Sequence, residues 1–322
     1  MTKEQKKASY LELHQNGVLE ARISTARGLL RHCTVCPHKC GVNRLKGELG
    51  LCRCGTKARV ASFGPHFGEE TPLVGRNGSG TIFFEGCNLF CLFCQNSDIS
   101  HIDLRGDDSP QAIDERQLAD IMISLQKQGC HNINFVTPTH VVPQILSALP
   151  IAIEMGLKVP LVYNSGGYER VETLSILDGI IDIYMPDCKF SSADTANLYT
   201  TAKDYPERMK QAVHEMHRQV GDLEIDDSGL AVQGLLVRHL VMPGHLDETK
   251  GIVKFLAEEI STNTYLNIMD QYRPCHKAFG LEPINRSLTS EEYDQALTMA
   301  GQAGLKRLDQ RDWKKFMKML GL

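Results

Sequence analysis

The sequence predicts an α/β fold built on a parallel sheet, and three observations carry that expectation. From residue 79 onward, short apolar, β-branched runs alternate with longer amphipathic stretches, as strands alternate with crossover helices. Six such runs occur. A composition of 42% hydrophobic and 23% charged residues is ordinary for a packed globular chain. No run approaches the ~18 consecutive apolar residues of a membrane span.

The strands fall at residues 81–85 (TIFFE), 132–137 (NINFVT), 159–164, 180–185, 235–241 and 265–269. Between them, helical patterns cover 114–128, 140–155, 169–177, 191–220 (broken near Pro206) and 247–260. Six units are too few to close an eight-fold barrel, which leaves a partial barrel or an open doubly wound sheet. Thr289, followed three residues on by Glu292, is spaced as a capping box opening another helix. Residues 306–322 read as an amphipathic terminal helix that docks Trp313, the only tryptophan, onto the core. Residues 1–78 differ: they are rich in Gly, Cys and basic residues, and a helix over 8–31 is their one periodic stretch. Three parts follow: a cysteine-rich metal-binding segment (1–78), a βα core (79–275) and a C-terminal helical extension (276–322).

The net charge of −4 gives no basic footprint for nucleic acid. The N-terminus lacks the apolar stretch of a secretory signal. The expected location is therefore cytoplasmic, with neither a membrane nor a nucleic-acid partner. Reducing compartments disfavour structural disulfides, so the eleven cysteines point to metal or redox chemistry. Eight of them lie between Cys33 and Cys94.

The first strand runs directly into Gly86-Cys87-Asn88-Leu89-Phe90-Cys91-Leu92-Phe93-Cys94. Three thiolates spaced C-x3-C-x2-C can hold one corner of an iron–sulfur cluster from a single loop. A four-iron cluster would keep one iron without a protein ligand, open to a small-molecule chelator. The alternative is a structural zinc knuckle completed from elsewhere. The loop's position at the C-terminal end of a strand, where α/β folds place active sites, favours the cluster.

This loop, with an aromatic just before its last cysteine, resembles the signature of the radical S-adenosylmethionine (SAM) superfamily. GCNLFCLFCQN and later segments look most like the subgroup of pyruvate formate-lyase activating enzyme homologues, over residues 79 to about 275. The resemblance implies a partial, TIM-like (β/α)6 barrel and a 4Fe–4S cluster on Cys87, Cys91 and Cys94. It also implies SAM on the open iron, and Phe93 against the adenine. The implied activity is that of an oxidoreductase: reductive cleavage of SAM to methionine and a 5′-deoxyadenosyl radical, which takes hydrogen from a substrate such as a protein or peptide. A flavodoxin or ferredoxin would supply the electron.

Residues ending the other strands should line the same pocket. Activating enzymes carry a Gly-Gly-Glu run after the second strand, and here Thr137-Pro138-Thr139-His140 stands instead. Thr137 and Thr139 offer hydroxyls for the SAM amine, although Thr139 also suits a helix N-cap. His140 is a proton donor or a polar core residue. Asn164 and Ser165, before two glycines, suit a ribose or carboxylate contact. Asp187 and Lys189 alternate to one side and could meet a zwitterion, or form a salt bridge with each other. Arg238 points opposite to His239 and needs a buried partner, which SAM or substrate could supply. Asn267, Asp270, Gln271, Tyr272, Arg273 and Cys275 make the sixth strand end polar enough for substrate contacts.

Cys33, Cys36, Cys40 and Cys52 form C-x2-C-x3-C-x11-C, with Cys54 as a spare, and this spacing indicates zinc or a second cluster. Cys130 reads as buried and inert, while Cys188 and Cys275 lie near the expected pocket. Two other functions fit the cysteines alone: a non-catalytic iron–sulfur electron carrier, and a zinc-stabilised interaction protein.

Overall fold

Six strands run parallel and in chain order through the middle of one mixed sheet. They are β2 (Ser79–Phe84), β4 (Ile133–Val136), β5 (Leu161–Ser165), β6 (Ile183–Pro186), β8 (Ala231–Leu240) and β9 (Tyr265–Met269). The computed structural model describes residues 8–101 and 110–309. Beyond β2 lie β1 (Ala58–His66), antiparallel to it, and β3 (Ala112–Ile113). Beyond β9 lies β10 (Arg307–Leu308), and β7 (Glu224–Ile225) pairs with β8 alone. The protein is thus a mixed α/β fold on a mostly parallel sheet; its six central parallel strands are those that the sequence predicts, and β10 adds a short seventh parallel strand at the edge.

Helices α1 (Tyr10–Gln15) and α2 (Val18–Gly28) replace the single helix expected over 8–31. Gly17, at a left-handed φ of 72°, separates them. The short α3 (Thr71–Val74) and α4 (Ser97–Ser100) flank β2. The crossovers are α5 (Glu115–Lys127), α6 (Val142–Glu154), α7 (Val171–Ile176), α8 (Ala193–Tyr199), α9 (Tyr205–Val220) and α10 (Leu246–Phe255). Asp114 starts α5 through a capping box with Gln117, each side chain bonding the other's backbone N–H at 2.8 and 3.0 Å. The break expected near Pro206 separates α8 from α9, because proline fits only the first turn of the new helix. Helix α11 (Ser290–Gln302) carries the Thr289–Glu292 capping box that its spacing predicts.

Strand alternation divides the core. Ile133, Phe135, Leu161 and Tyr163 face the crossover helices, while Val162, Ile183, Met185 and Leu236 pack on the opposite face around Leu73 of α3. Asn132 fixes that plug by donating to the Leu73 carbonyl at 2.9 Å. Both β1 and α3 come from the stretch before residue 79 and are built into this sheet. The long strand β1 escapes a search for alternation because its exposure changes along its length rather than residue by residue. Of the terminal helix expected over 306–322, Arg307 and Leu308 are instead strand β10, paired to Tyr265 and Leu266. Trp313 lies outside the described residues. No helix among the described residues is long and apolar enough to cross a membrane.

Candidate functional site

A cavity of about 440 Å³ opens at the C-terminal ends of the six parallel strands. Each contributes to it: Phe84 and Gly86, Val136 and Thr137, Asn164 and Ser165, Asp187, Arg238 and Leu240, and Met269. Parallel strands end together, so residues far apart in sequence meet at this rim.

Cys87, Cys91 and Cys94 all line the cavity, and no fourth cysteine among the described residues does. The loop leaves β2 through Gly86 at φ 82°, where a Cβ would come within 2.6 Å of the Cys52 carbonyl oxygen. Phe90, just before Cys91, holds a left-handed φ of 51°. Such a conformation costs a bulky residue on the order of 1–2 kcal/mol, so the surroundings must enforce it. The Leu89 N–H points at the Cys87 sulfur at 3.3 Å, and Ser100 bonds the Cys94 sulfur at 3.1 Å. Burial pushes the Cys87 and Cys91 thiols up, and the neighbouring thiols push further, while Lys189 pulls both down.

A half-buried charge network lines the same cavity. Asp187 accepts from Lys189 Nζ at 2.6 Å and from Arg238 Nε at 2.7 Å, and Asn164 Oδ1 accepts from Arg238 at 2.6 Å. Burial alone would raise the Asp187 carboxyl, but Arg238 and Lys189 hold it below its ordinary value. Asp187 and Lys189 do share a side, and they meet each other. Arg238 meets Asp187 and Asn164, with Glu69 at 3.9 Å, and still lines the cavity. His239 faces away, bonded to the Cys188 carbonyl and to Thr249. Phe93 lines the cavity with its ring edged by Phe190, Tyr199 and Tyr272, at centroid distances of 6.1, 6.4 and 6.2 Å.

Thr137 has a φ of 58°, unusual for a β-branched residue, with its N–H held by the Asn164 carbonyl at 2.8 Å. Thr139 is a correction. It lies in a one-turn 3-10 helix, Thr139–Val141, does not line the cavity, caps no helix, and donates its hydroxyl to Glu169 at 2.5 Å. The tight turn that places Thr137 at the rim carries Thr139 behind it. His140 is a core residue: buried, bonded through Nε2 to the Glu85 carbonyl at 2.8 Å, and driven by burial down to about 3. Among the sixth strand's polar residues, Gln271 lines the cavity, Asn267 bonds Glu70, and the Tyr272 hydroxyl bonds the Ile284 carbonyl. Asp270, Arg273 and Cys275 are not in the lining, and neither is the buried Cys188. Cys130 is buried, as expected.

No family model matches the chain. It is 35% identical over 300 residues to the uncharacterized protein MJ0674 of Methanocaldococcus jannaschii, over 92% of this chain and 82% of that protein. The chain belongs to that protein's family.

Three carboxylates at the site went unread in the sequence. Glu69 and Glu70 line the cavity from the turn before α3. Glu70 accepts from Asn267 at 2.7 Å while its Oε2 has no partner, and burial raises its carboxyl. Glu169 lies behind the rim, lifted by burial to about 7, and accepts from Thr139 and from Tyr163 at 3.1 Å. Adjacent glutamates before a Thr-Pro helix start were the only trace of the first two.

Among the described residues, no three or more His, Cys, Asp or Glu side chains are arranged as one bound ion requires. Cys87, Cys91 and Cys94 are the cavity thiols that could serve as metal or cluster ligands.

Proposed function

We propose that the protein is a radical SAM enzyme, with a 4Fe–4S cluster on Cys87, Cys91 and Cys94 and SAM in the adjoining cavity. The supporting observation is that these three thiols, without a fourth, share one cavity with Thr137, Asn164, Ser165, Asp187, Lys189 and Arg238. The six parallel strands are read here as a partial, TIM-like (β/α)6 barrel with its mouth at this cavity. Bound there, the cluster and SAM would supply the one-electron reductive cleavage of a carbon–sulfur bond and, through the resulting deoxyadenosyl group, hydrogen abstraction from a protein, a peptide or another carbon centre. A low-potential flavodoxin or ferredoxin is the proposed electron source.

The chain's own residues bind, orient and exclude water. Lys189 and Arg238 offer N–H donors to a carboxylate, and Asp187 holds both in place. Asn164 and Ser165 offer hydrogen bonds at the rim, and Phe93 a flat apolar wall for a purine. Thr139 supports from behind: its bond to Glu169 joins it to Tyr163.

The test is anaerobic reconstitution with iron and sulfide, reduction, addition of SAM and assay for 5′-deoxyadenosine. The expected result is cleavage by the native chain and none by Cys91→Ala. Cleavage that survives Cys91→Ala would overturn the assignment, as would an iron-loaded, reduced protein that neither binds nor cleaves SAM.

A further inference from the structure

The N-terminal cysteines gather against the loop that carries Cys87. Hydrogen bonds from Cys33 N to the Val42 carbonyl (2.9 Å) and from Gly41 N to the Cys33 carbonyl (3.0 Å) fold residues 33–42 into a knuckle. Lys39 N bonds the Cys36 carbonyl at 3.0 Å, and Lys39 itself holds a left-handed φ of 43° just before Cys40. Cys36-x3-Cys40 thus shares with Cys87-x3-Cys91 its spacing and a left-handed residue just before the second cysteine. The Cys40 sulfur sits so close to Gly50 that a Cβ there would lie 2.5 Å away, which brings residues 50–52 onto the knuckle. Arg44, fully buried, donates to the Cys52 sulfur at 3.5 Å. Burial pushes the Cys36 and Cys40 thiols up and the neighbouring Cys33 and Cys52 push both further, whereas Cys54 turns to the Gly55 and Lys57 carbonyls.

Three links tie this knuckle to the residues around Cys87. His38 Nε2 bonds the Asn88 carbonyl at 2.6 Å; a carbonyl only accepts, so this nitrogen carries the proton. Arg44 donates to the His140 carbonyl at 2.8 Å, and the His140 ring bonds the Glu85 carbonyl. The Cys52 carbonyl rests against Gly86.

We propose that Cys33, Cys36, Cys40 and Cys52 hold a thiophilic metal centre, a zinc ion or an iron–sulfur cluster, that clamps the backbone on both sides of Cys87. A single ion has to draw the four sulfurs inward; a cluster spans wider gaps. Arg44 offsets the negative charge of four bound thiolates. The metal site stands without the radical SAM reading, and only the purpose of the clamp rests on it.

The test uses the full chain with Cys87, Cys91 and Cys94 all changed to Ala, so that the radical loop holds no metal. Metal analysis and acid-labile sulfide should find either one zinc per chain, or iron with matching sulfide. Cys36→Ser and Cys40→Ser should each abolish it, and Cys54→Ser should leave it intact. Absence of both metals overturns the site, as does metal retained in Cys36→Ser. Hydrogen–deuterium exchange then tests the clamp. Metal removal should speed exchange of residues 85–91 by roughly 2- to 10-fold, the worth of one hydrogen bond. His38→Ala, which removes no ligand, should do the same with metal retained. Unchanged exchange in both cases overturns the clamp. Neither result depends on SAM cleavage, so a failure here is distinct from failure of the radical SAM assignment.

Discussion

Two loops in this molecule share a spacing and a left-handed residue but not their surroundings. Cys36 to Cys40 and Cys87 to Cys91 are both C-x3-C, with Lys39 and Phe90 left-handed at the same position. The later loop has its third thiol close by at Cys94 and faces the cavity. The earlier one takes its partners from either side, at Cys33 and Cys52, both buried. A cation stands near each. Lys189, near Cys91, is fixed by Asp187, whereas Arg44 relies on a carbonyl and a sulfur. The turn gathers thiols; whether a ligand can reach them depends on what the turn faces.

The sharpest break to that comparison is Asp187→Asn, which leaves Lys189 without its anion and Arg238 with only Glu69 at 3.9 Å. A loss of about 3–5 kcal/mol is expected, read as a lowered urea midpoint. The next effect concerns the network behind the cavity rim, which has no counterpart at the N-terminal knuckle. Burial raises Glu169 from 4.5 to about 7, so between these values the unfolded chain ionises while the folded chain keeps its proton. Stability should therefore be greatest below pH 4.5 on this account and fall as pH rises toward 7, by on the order of 3 kcal/mol. Glu169→Gln should flatten that slope in denaturation curves at several pH values.

Arg44→Met removes the N-terminal cation and its bond to the His140 carbonyl. The expected cost is about 1–3 kcal/mol, larger in metal-loaded than in metal-free protein, measured by thermal unfolding with and without chelator. The smallest effect separates the two turns directly. Lys39→Gly relieves a left-handed residue and should stabilise by up to about 1 kcal/mol. Phe90→Gly should not gain in the same way, because Phe90 also packs edge-on against His101 at 5.2 Å. Equal gains in both variants would mean that the Phe90 ring contributes nothing.

The site was only partly legible in the sequence. Asp187, Lys189, Asn164, Ser165 and Arg238 could be read because a strand's end and its alternation fix which side chains reach the rim. Thr139 was misplaced because a left-handed turn at Thr137 and a 3-10 turn after it break that alternation. Glu69 and Glu70 were missed because they enter from a segment before the first parallel strand, and no periodicity reports a return to the sheet's inner face.

The amino-acid order alone determined the alternation of strands and helices, the capping box at Thr289, and the two cysteine spacings, because these follow from bonds between residues a few positions apart. Only the tertiary structure decided that Asp187 meets Arg238, that α3 plugs the sheet, and that the N-terminal knuckle leans on Gly86 and Asn88. Those contacts join residues tens to hundreds of positions apart. They exist because burial of apolar faces brings the elements together, and no local pattern records which distant partner is met.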